Sequence, residues 1–386
     1  EQGRLRVRKN TNSLAFNIEQ QNDVGSRLLK SKPEEYGSYE VTKGKKGVDF
    51  VIDGPTGSGE AQEKHLSIGD ELELDNGYKL TFEDGSNKKP IIVAPAMNTD
   101  MWGDIAVQSN YKKLKTYHNV LAMYPDDGLL ACDQIGIGKI PSNELILLAL
   151  QFILSDNQNF IFNDLAEKTF LITGGATSEI IDPARRITNN SSGSMGLLLA
   201  QAARFRGADV TYIHGPLKQN LDIRGGIKSI EITTGNELSR EIRNEIHYCD
   251  FFIMNAAVTD IKLSNKLSIK IPKKELAQYF SDNLELVPDI LNDLRSLKKA
   301  HQTYMGFCAF TGEFENLKTI VKEKLKIKGC DLIFANPIDI EGQGFGWNSQ
   351  NEGWLFDRDG LKFHLEKTSK IDLANNLINK IISIDK

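Results

Sequence analysis

The densest run of chemistry-bearing side chains is Ile181-Asp182-Pro183-Ala184-Arg185-Arg186-Ile187-Thr188-Asn189-Asn190-Ser191-Ser192-Gly193-Ser194-Met195-Gly196. Amides, hydroxyls and glycines lead there into an apolar helical stretch, so backbone N–H groups and a helix dipole make a ready seat for an anion. One Ser or Asn suffices to cap a helix. This segment has several, and two arginines besides. Just upstream, Thr173-Gly174-Gly175-Ala176-Thr177 follows a strand-like run. Glycines at such a place let the backbone turn sharply and come close to a ligand at the carboxyl edge of a sheet. A Gly-Gly turn alone is a weak sign, and its spacing is not the G-x-G-x-x-G of a nicotinamide site. Cations follow: Lys270, Lys273 and Lys274 in a basic segment, then Lys324 and Lys328, four apart and so on one face of a helix.

The elements that must position these groups can be read from periodicity. Strand-like runs cover 169–173, 208–213, 229–233, 250–255, 303–308 and 331–335, with amphipathic stretches such as 195–206 and 315–328 between them. Alternation of strand and helix predicts a doubly wound parallel sheet. The end reads as a hairpin through Trp354-Leu355-Phe356 and Leu361-Lys362-Phe363-His364-Leu365, then a closing helix. Ahead of this, Ile91-Ile92-Val93-Ala94 and Asn119-Val120-Leu121-Ala122-Met123 read as short buried strands, and 145–154 as a helix packed on a sheet. Residues 1 to about 88 are polar and turn-rich. Their clearest feature is a hairpin, Glu71-Leu72-Glu73-Leu74 and Tyr78-Lys79-Leu80-Thr81-Phe82 about the turn Asp75-Asn76-Gly77. Three parts are expected: a β-rich module over 1–88, a partial α/β segment over 89–160, and the main α/β domain over 161–386.

Composition narrows the function. Of 386 residues 40% are apolar and 26% charged, an ordinary globular balance. Forty-seven Lys and Arg against fifty-two Asp and Glu leave −5, so no global basic field captures nucleic acid. No run of eighteen apolar residues offers a membrane span. The start, Glu1-Gln2-Gly3-Arg4, reads as trimmed or internal. Cys132, Cys249, Cys308 and Cys330 lie far apart with no CxxC pair, which disfavours a zinc ribbon or disulfide scaffold and fits a reducing cytoplasm.

The stretch 173–196 resembles the start of phosphopantothenate–cysteine ligase, the second half of the bifunctional flavoprotein of coenzyme A synthesis. Further matches follow in order: Asn255-Ala256-Ala257-Val258-Thr259-Asp260, Lys270-Ile271-Pro272-Lys273-Lys274, Val287-Pro288-Asp289-Ile290-Leu291, Gly306-Phe307, Lys324 with Lys328, and Ala335-Asn336. The resemblance covers about residues 168–366 and implies a Rossmann-like doubly wound sheet. It also implies a reaction in which CTP, with Mg2+, activates the phosphopantothenate carboxylate as an acyl-cytidylate that the amine of cysteine then opens. Asn189 matches the catalytic asparagine and Lys270 a catalytic lysine, while Arg185 is placed to bind a phosphate. Nucleotide contacts are implied for Gly174, Gly175, Met254, Asn255, Ala256 and Asp260, for Lys270, Val287, Pro288, Asp289 and Ile290, and for Phe307, Lys324 and Lys328. Departures stand at Ser194, where many relatives have Lys, at Pro272, at Val287 for Asn, and at Phe310 for Glu. Family ligases act as dimers, so a homo-oligomer is implied.

Pro95-Ala96-Met97-Asn98-Thr99-Asp100-Met101-Trp102 resembles the substrate loop of the flavin-dependent phosphopantothenoylcysteine decarboxylase, the partner half of the same flavoprotein. Asn98 would bind the substrate carboxylate, and Cys132, in the flap Leu130-Ala131-Cys132-Asp133, would protonate the intermediate. Relatives have Gly after that Cys, and they carry an FMN-phosphate loop and a catalytic His upstream. Residues 1–88 show neither, and their single histidine, His65, lacks the family surroundings. Decarboxylation is therefore expected to be lost or to need parts from another chain, with FMN binding open. The complete bifunctional enzyme and a non-catalytic binding or regulatory protein stand as alternatives.

Overall fold

The computed structural model describes seven strands within residues 1–89, and beyond them residues 90–117, 119–154, 162–217, 223–265, 267–340, 344 and 350–384. The chain divides into two compact units, Glu1–Lys89 and Pro90–Lys386. The described residues of the first unit are all in β-strands. Asn12–Asn17, Arg4–Lys9, Tyr78–Glu83 and Glu71–Glu73 form one antiparallel sheet in that order, and Tyr39–Lys43, Gly47–Ile52 and Gln62–Ser67 form another. The expected hairpin is present: Glu71 pairs with Thr81 and Glu73 with Lys79. Its Asp75-Asn76-Gly77 turn, like the side chain of His65, lies outside the described residues.

The second unit is built on an eight-stranded sheet. In sheet order its strands are Lys228–Glu231, Asp209–His214, Thr169–Gly174, Phe251–Met254, Thr303–Phe310, Leu332–Pro337, Asn351–Asp357 and Gly360–Thr368. The first six are parallel and run 3-2-1-4-5-6 in chain order, the doubly wound arrangement, while the last two add an antiparallel hairpin at one edge. Each central strand is buried on both faces, which is why these strands read as continuous apolar runs. Phe170, Ile172, Phe251, Ile253 and Met305 pack on the helices Ser194–Phe205 and Lys370–Ile382. Leu171, Phe252, Met254, Tyr304 and Cys308 pack on Gly235–Glu245, Ile290–Leu294 and Phe314–Lys328. Chain order reverses between Thr169–Gly174 and Phe251–Met254, so a crevice opens beyond their carboxyl ends.

Residues 90–154 form a two-stranded parallel pair, Ile91–Val93 with Val120–Ala122, and a hairpin of Asp126–Leu129 with Ile135–Lys139. Trp102 and Tyr111, edge to face at 4.9 Å, anchor the small core beside them. The helix Asn143–Leu154 does not stay with this pair. Its Leu145, Leu148, Ala149 and Phe152 are buried in the same cluster as the helices Ser194–Phe205 and Lys370–Ile382. Asn163 Nδ2 donates to Tyr117 O and Val120 O, 3.2 Å each. Residues on either side of position 160, read above as separate parts, thus share one core.

Candidate active site

At the crevice two loops run side by side past the sheet. Ala257 N donates to Gly175 O (2.8 Å), and Thr177 N to Ala257 O (3.1 Å). Thr259 N donates to Thr177 Oγ1 (2.9 Å), while Thr173 Oγ1 accepts from Asn255 N and Ala256 N. The glycines make this contact possible. A Cβ on Gly174 would lie 2.3 Å from Tyr212 Oη, and Gly175 holds φ +72 against the backbone of Gly215. A Cβ on Gly196 would meet Gly174 Cα at 2.8 Å, so the helix Ser194–Phe205 starts hard against the strand end. Met254 is buried behind the crevice, its sulfur 3.3 Å from Thr173 Oγ1.

The run 178–188 is a two-stranded hairpin of Ser178–Asp182 and Arg185–Thr188, with an irregularity between Ile180 and Asp182. It delivers Asn189 to the crevice: Asn189 is half-buried, and its Nδ2 donates to Val258 O at 2.9 Å. At the hairpin tip Asp182 is 2% exposed and accepts from Ala184 N (2.8 Å), Ile271 N (3.2 Å) and Arg185 Nη1 (3.3 Å). Arg185 Nη1 also reaches Ile271 O at 3.3 Å. Arg185 thus clamps the tip onto Ile271, and the neighbouring Lys270 is exposed. Burial pushes the Asp182 carboxyl up, but the two N–H donors and the Arg185 guanidinium outweigh it and hold it below the usual range. Its contribution to stability is therefore complete above the ordinary carboxylate value of about 3.9 and falls away as pH drops further. In urea titrations the stability gap between wild type and Asp182→Asn should hold from about pH 7 to about pH 5 and narrow below about pH 3.9. A gap that stays constant on acidification would contradict this.

Ser191, Ser192, Ser194, Asn255, Phe307 and Asn336 line a pocket at the carboxyl edge, together with Asn351 and Lys370. Of the residues expected to contact nucleotide, Asn255 and Phe307 are in it. Others lie elsewhere. Lys324 Nζ is 3.2 Å from Cys308 Sγ, and Cys308 and Phe307 face opposite sides of the sheet. Lys328 pairs with Asp289 (3.4 Å), which caps the helix Ile290–Leu294 by accepting from Asn292 N. Ile290 is buried, and Val287 lies by Gly235 and Val258, whereas Pro288 is exposed. Asp260, also exposed, receives Val287 N on its backbone oxygen at 2.9 Å. Among the described residues no three His, Cys, Asp or Glu side chains cluster to hold a metal. The donor set fits Mg2+ only as an ion carried on a nucleotide's phosphates.

In the 90–154 part, Asn98 caps the helix Thr99–Gly103 by accepting from Asp100 N (2.7 Å), and its Nδ2 lies 3.3 Å from Cys132 Sγ and 2.9 Å from Gln134 Oε1. Loop and flap residues picked 34 positions apart are in contact. Asp133, in the place of the family's Gly, holds φ +61, a left-handed conformation that Asp tolerates better than most residues. Gln134 carried no local signal in the sequence. Neither did Gly136 and Gly138, whose missing Cβ atoms let the flap strand touch Thr99 and Met97.

The family model described as DNA/pantothenate metabolism flavoprotein C-terminal domain matches residues 165–384, and one described as Flavoprotein matches 74–154, beginning inside the stretch read above as a β module. The coenzyme A biosynthesis bifunctional protein CoaBC of Vibrio cholerae is 34% identical over 292 residues, which is 76% of this chain and 70% of that protein. Its counterpart in Haemophilus influenzae is 36% identical over 298 residues, 76% of this chain and 69% of that one. A crystal structure of the C-terminal domain of a CoaBC protein is similar at 29% identity and TM-score 0.45, over 56% of this chain and 96% of that domain. A ligase-type domain and a flavoprotein-type segment thus follow one another along the sequence, and the chain belongs to the family of the coenzyme A biosynthesis bifunctional protein CoaBC.

Proposed function

We propose that this chain joins 4'-phosphopantothenate to cysteine using CTP. A carboxylate oxygen of phosphopantothenate attacks the α-phosphorus, and the bond to pyrophosphate breaks. The cysteine amine then attacks the acyl carbon, forming C–N while CMP leaves with that oxygen. The observation that carries this reading is the seat of Asn189. One of its amide N–H groups is engaged by Val258 O, which fixes the plane of the amide, and the other is the neutral donor for the acyl oxygen. Lys270, exposed beside the Arg185–Ile271 clamp, is the lysine this reading uses for phosphate charge, whereas Lys324 on Cys308 and Lys328 on Asp289 are not brought to the crevice. Mg2+ brought by the nucleotide would supply charge neutralisation for its phosphates, with no cluster of described protein carboxylates to hold it independently. A boundary near 88, a cytoplasmic setting suited to four free thiols, and assembly as a homo-oligomer go with this reading.

The test is pyrophosphate release by the full chain. Release that needs phosphopantothenate and CTP together is expected. No release with either CTP or ATP, in any combination with acid and cysteine, would favour a non-catalytic binding protein instead.

A second activity is favoured by the Asn98–Cys132 contact, which sets a carboxylate-binding amide beside a thiol able to donate a proton. We infer that residues 90–154 form the substrate side of a decarboxylase whose FMN-holding side comes from another chain. The purified chain should then carry little flavin. Stoichiometric flavin bound by this chain alone would overturn that inference.

A further inference from the structure

The hairpin that delivers Asn189 carries a second buried carboxylate, away from its tip. Glu179, 7% exposed, lies in the strand Ser178–Asp182 opposite Ile187. Its Oε1 accepts from Gly235 N at 2.8 Å, at the first residue of the helix Gly235–Glu245. One residue back, Ser178 N donates to Thr233 O at 2.7 Å. Ser178 also pairs with Thr188, the residue before Asn189, and Thr188 Oγ1 donates to Thr177 O at 2.8 Å. The base of the hairpin is therefore fastened to 233–235 by one backbone bond and one side-chain bond, and only the second can be removed by substitution.

The helix does not need that carboxylate for its own start. Thr234 Oγ1 accepts from Glu237 N at 3.2 Å, and Glu237 Oε2 accepts from Thr233 N (2.7 Å) and Thr234 N (3.2 Å), so the capping box is complete without it. Taking a carboxylate out of water is costly, and here a charge-assisted N–H bond and the helix dipole offset the cost. What the carboxylate adds is a join between elements. A Cβ on Gly235 would lie 3.4 Å from Glu179 Oε1 and 3.6 Å from Val258 Cγ1. The Glu179 carboxylate and the Val258 side chain thus meet at Gly235, while Val258 O holds the Asn189 amide. Both supports of Asn189, the hairpin behind it and the loop in front of it, rest on one point.

We propose that Glu179 is a positioning residue of the ligase: its carboxylate pins the hairpin base to Gly235 beside Val258 and so sets the direction of the Asn189 amide. Glu179 acts through Asn189 and not on the substrate itself. The proposal rests on the ligase reading for its turnover arm alone.

The experiment is a double-mutant cycle on the full chain, read by pyrophosphate release with phosphopantothenate, CTP and cysteine. Glu179→Ala should lower kcat by about 10-fold and leave KM for phosphopantothenate and for CTP within about 3-fold of wild type. Glu179→Gln, which keeps an acceptor oxygen at the same reach, should recover kcat to within about 3-fold of wild type. In Asn189→Ala the further change Glu179→Ala should cost almost nothing, because the group it positions is gone. A further loss of about 10-fold there overturns the proposal, as does a Gln variant as slow as the Ala variant. A second arm needs no turnover. The side-chain NH2 pair of Asn189, identified in 15N spectra by its loss in Asn189→Ala, should move in Glu179→Ala and hold its place in Glu179→Gln. An unmoved pair in Glu179→Ala overturns the proposal. Should Glu179→Ala not fold, Glu179→Asp, one methylene too short for Gly235 N, takes its place in both arms with the same expectations. A wild type that releases no pyrophosphate counts against the ligase reading, and the amide signals then decide the proposal by themselves.

Discussion

Asn189→Ala is expected to lower kcat for pyrophosphate release by about 10²–10³-fold, the cost typical of removing one preorganised donor from a developing negative charge. The reason is geometric. Asn189 leaves the hairpin Ser178–Asp182/Arg185–Thr188 and is fixed on Val258 O, in the loop that follows Phe251–Met254. The amide is therefore held between two loops that meet at the reversal of strand order, with no reorganisation needed as charge builds. Asn189→Asp keeps the shape but turns the donor into an acceptor beside a carbonyl, and should be no better than alanine. Because Asn189 is half-buried and on a loop, thermal unfolding of both variants should stay near that of wild type. Equal turnover by Asn189→Ala and wild type would remove Asn189 from the reaction.

The second large effect is on stability. Phe152→Ala should cost about 3–5 kcal/mol, a sizeable share of the 5–15 kcal/mol by which a native fold usually survives. Phe152 is 1% exposed and packs on Phe205 with ring centroids 5.1 Å apart, in the cluster that also holds Leu377 and Ile381. The helix Asn143–Leu154 belongs by sequence to the flavoprotein-type segment but buries its apolar face in the ligase-type core. The midpoint should fall by about 2–4 °C for each kcal/mol in a unit of this size, and the ligase activity should be lost along the same curve. An early transition confined to residues 90–154, with the ligase melting unchanged, would contradict a shared core.

Which parts of this were legible in the sequence follows from where the physical constraint is local. The six parallel strands are visible because burial on both faces makes runs such as Phe170-Leu171-Ile172 continuously apolar, and the closing hairpin and helix keep their periods. The hairpin at 178–188 is not. Its tip is centred on a buried carboxylate, and Asp182 before Pro183 reads as a turn residue until Ile271, 89 positions away, brings its N–H. Lys370 is hidden for the same reason. In Thr368-Ser369-Lys370-Ile371-Asp372 it looks like a solvated first-turn lysine, and only the packing of two helix starts buries it. Asn189 is legible only through a resemblance in motif order, and its separation from Lys270 is not legible at all. Asn189 sits at the crevice and Lys270 at the far, tip end of the hairpin that precedes it.

The central claim is that a carboxylate of phosphopantothenate is coupled to a nucleoside monophosphate at the carboxyl edge of this sheet. It is tested most directly with phosphopantothenate carrying 18O in both carboxylate oxygens, turned over by the full chain with CTP and cysteine. The account predicts one 18O atom in each CMP released, with the second kept in the new amide. CMP free of label, with product formed at the normal rate, would contradict it.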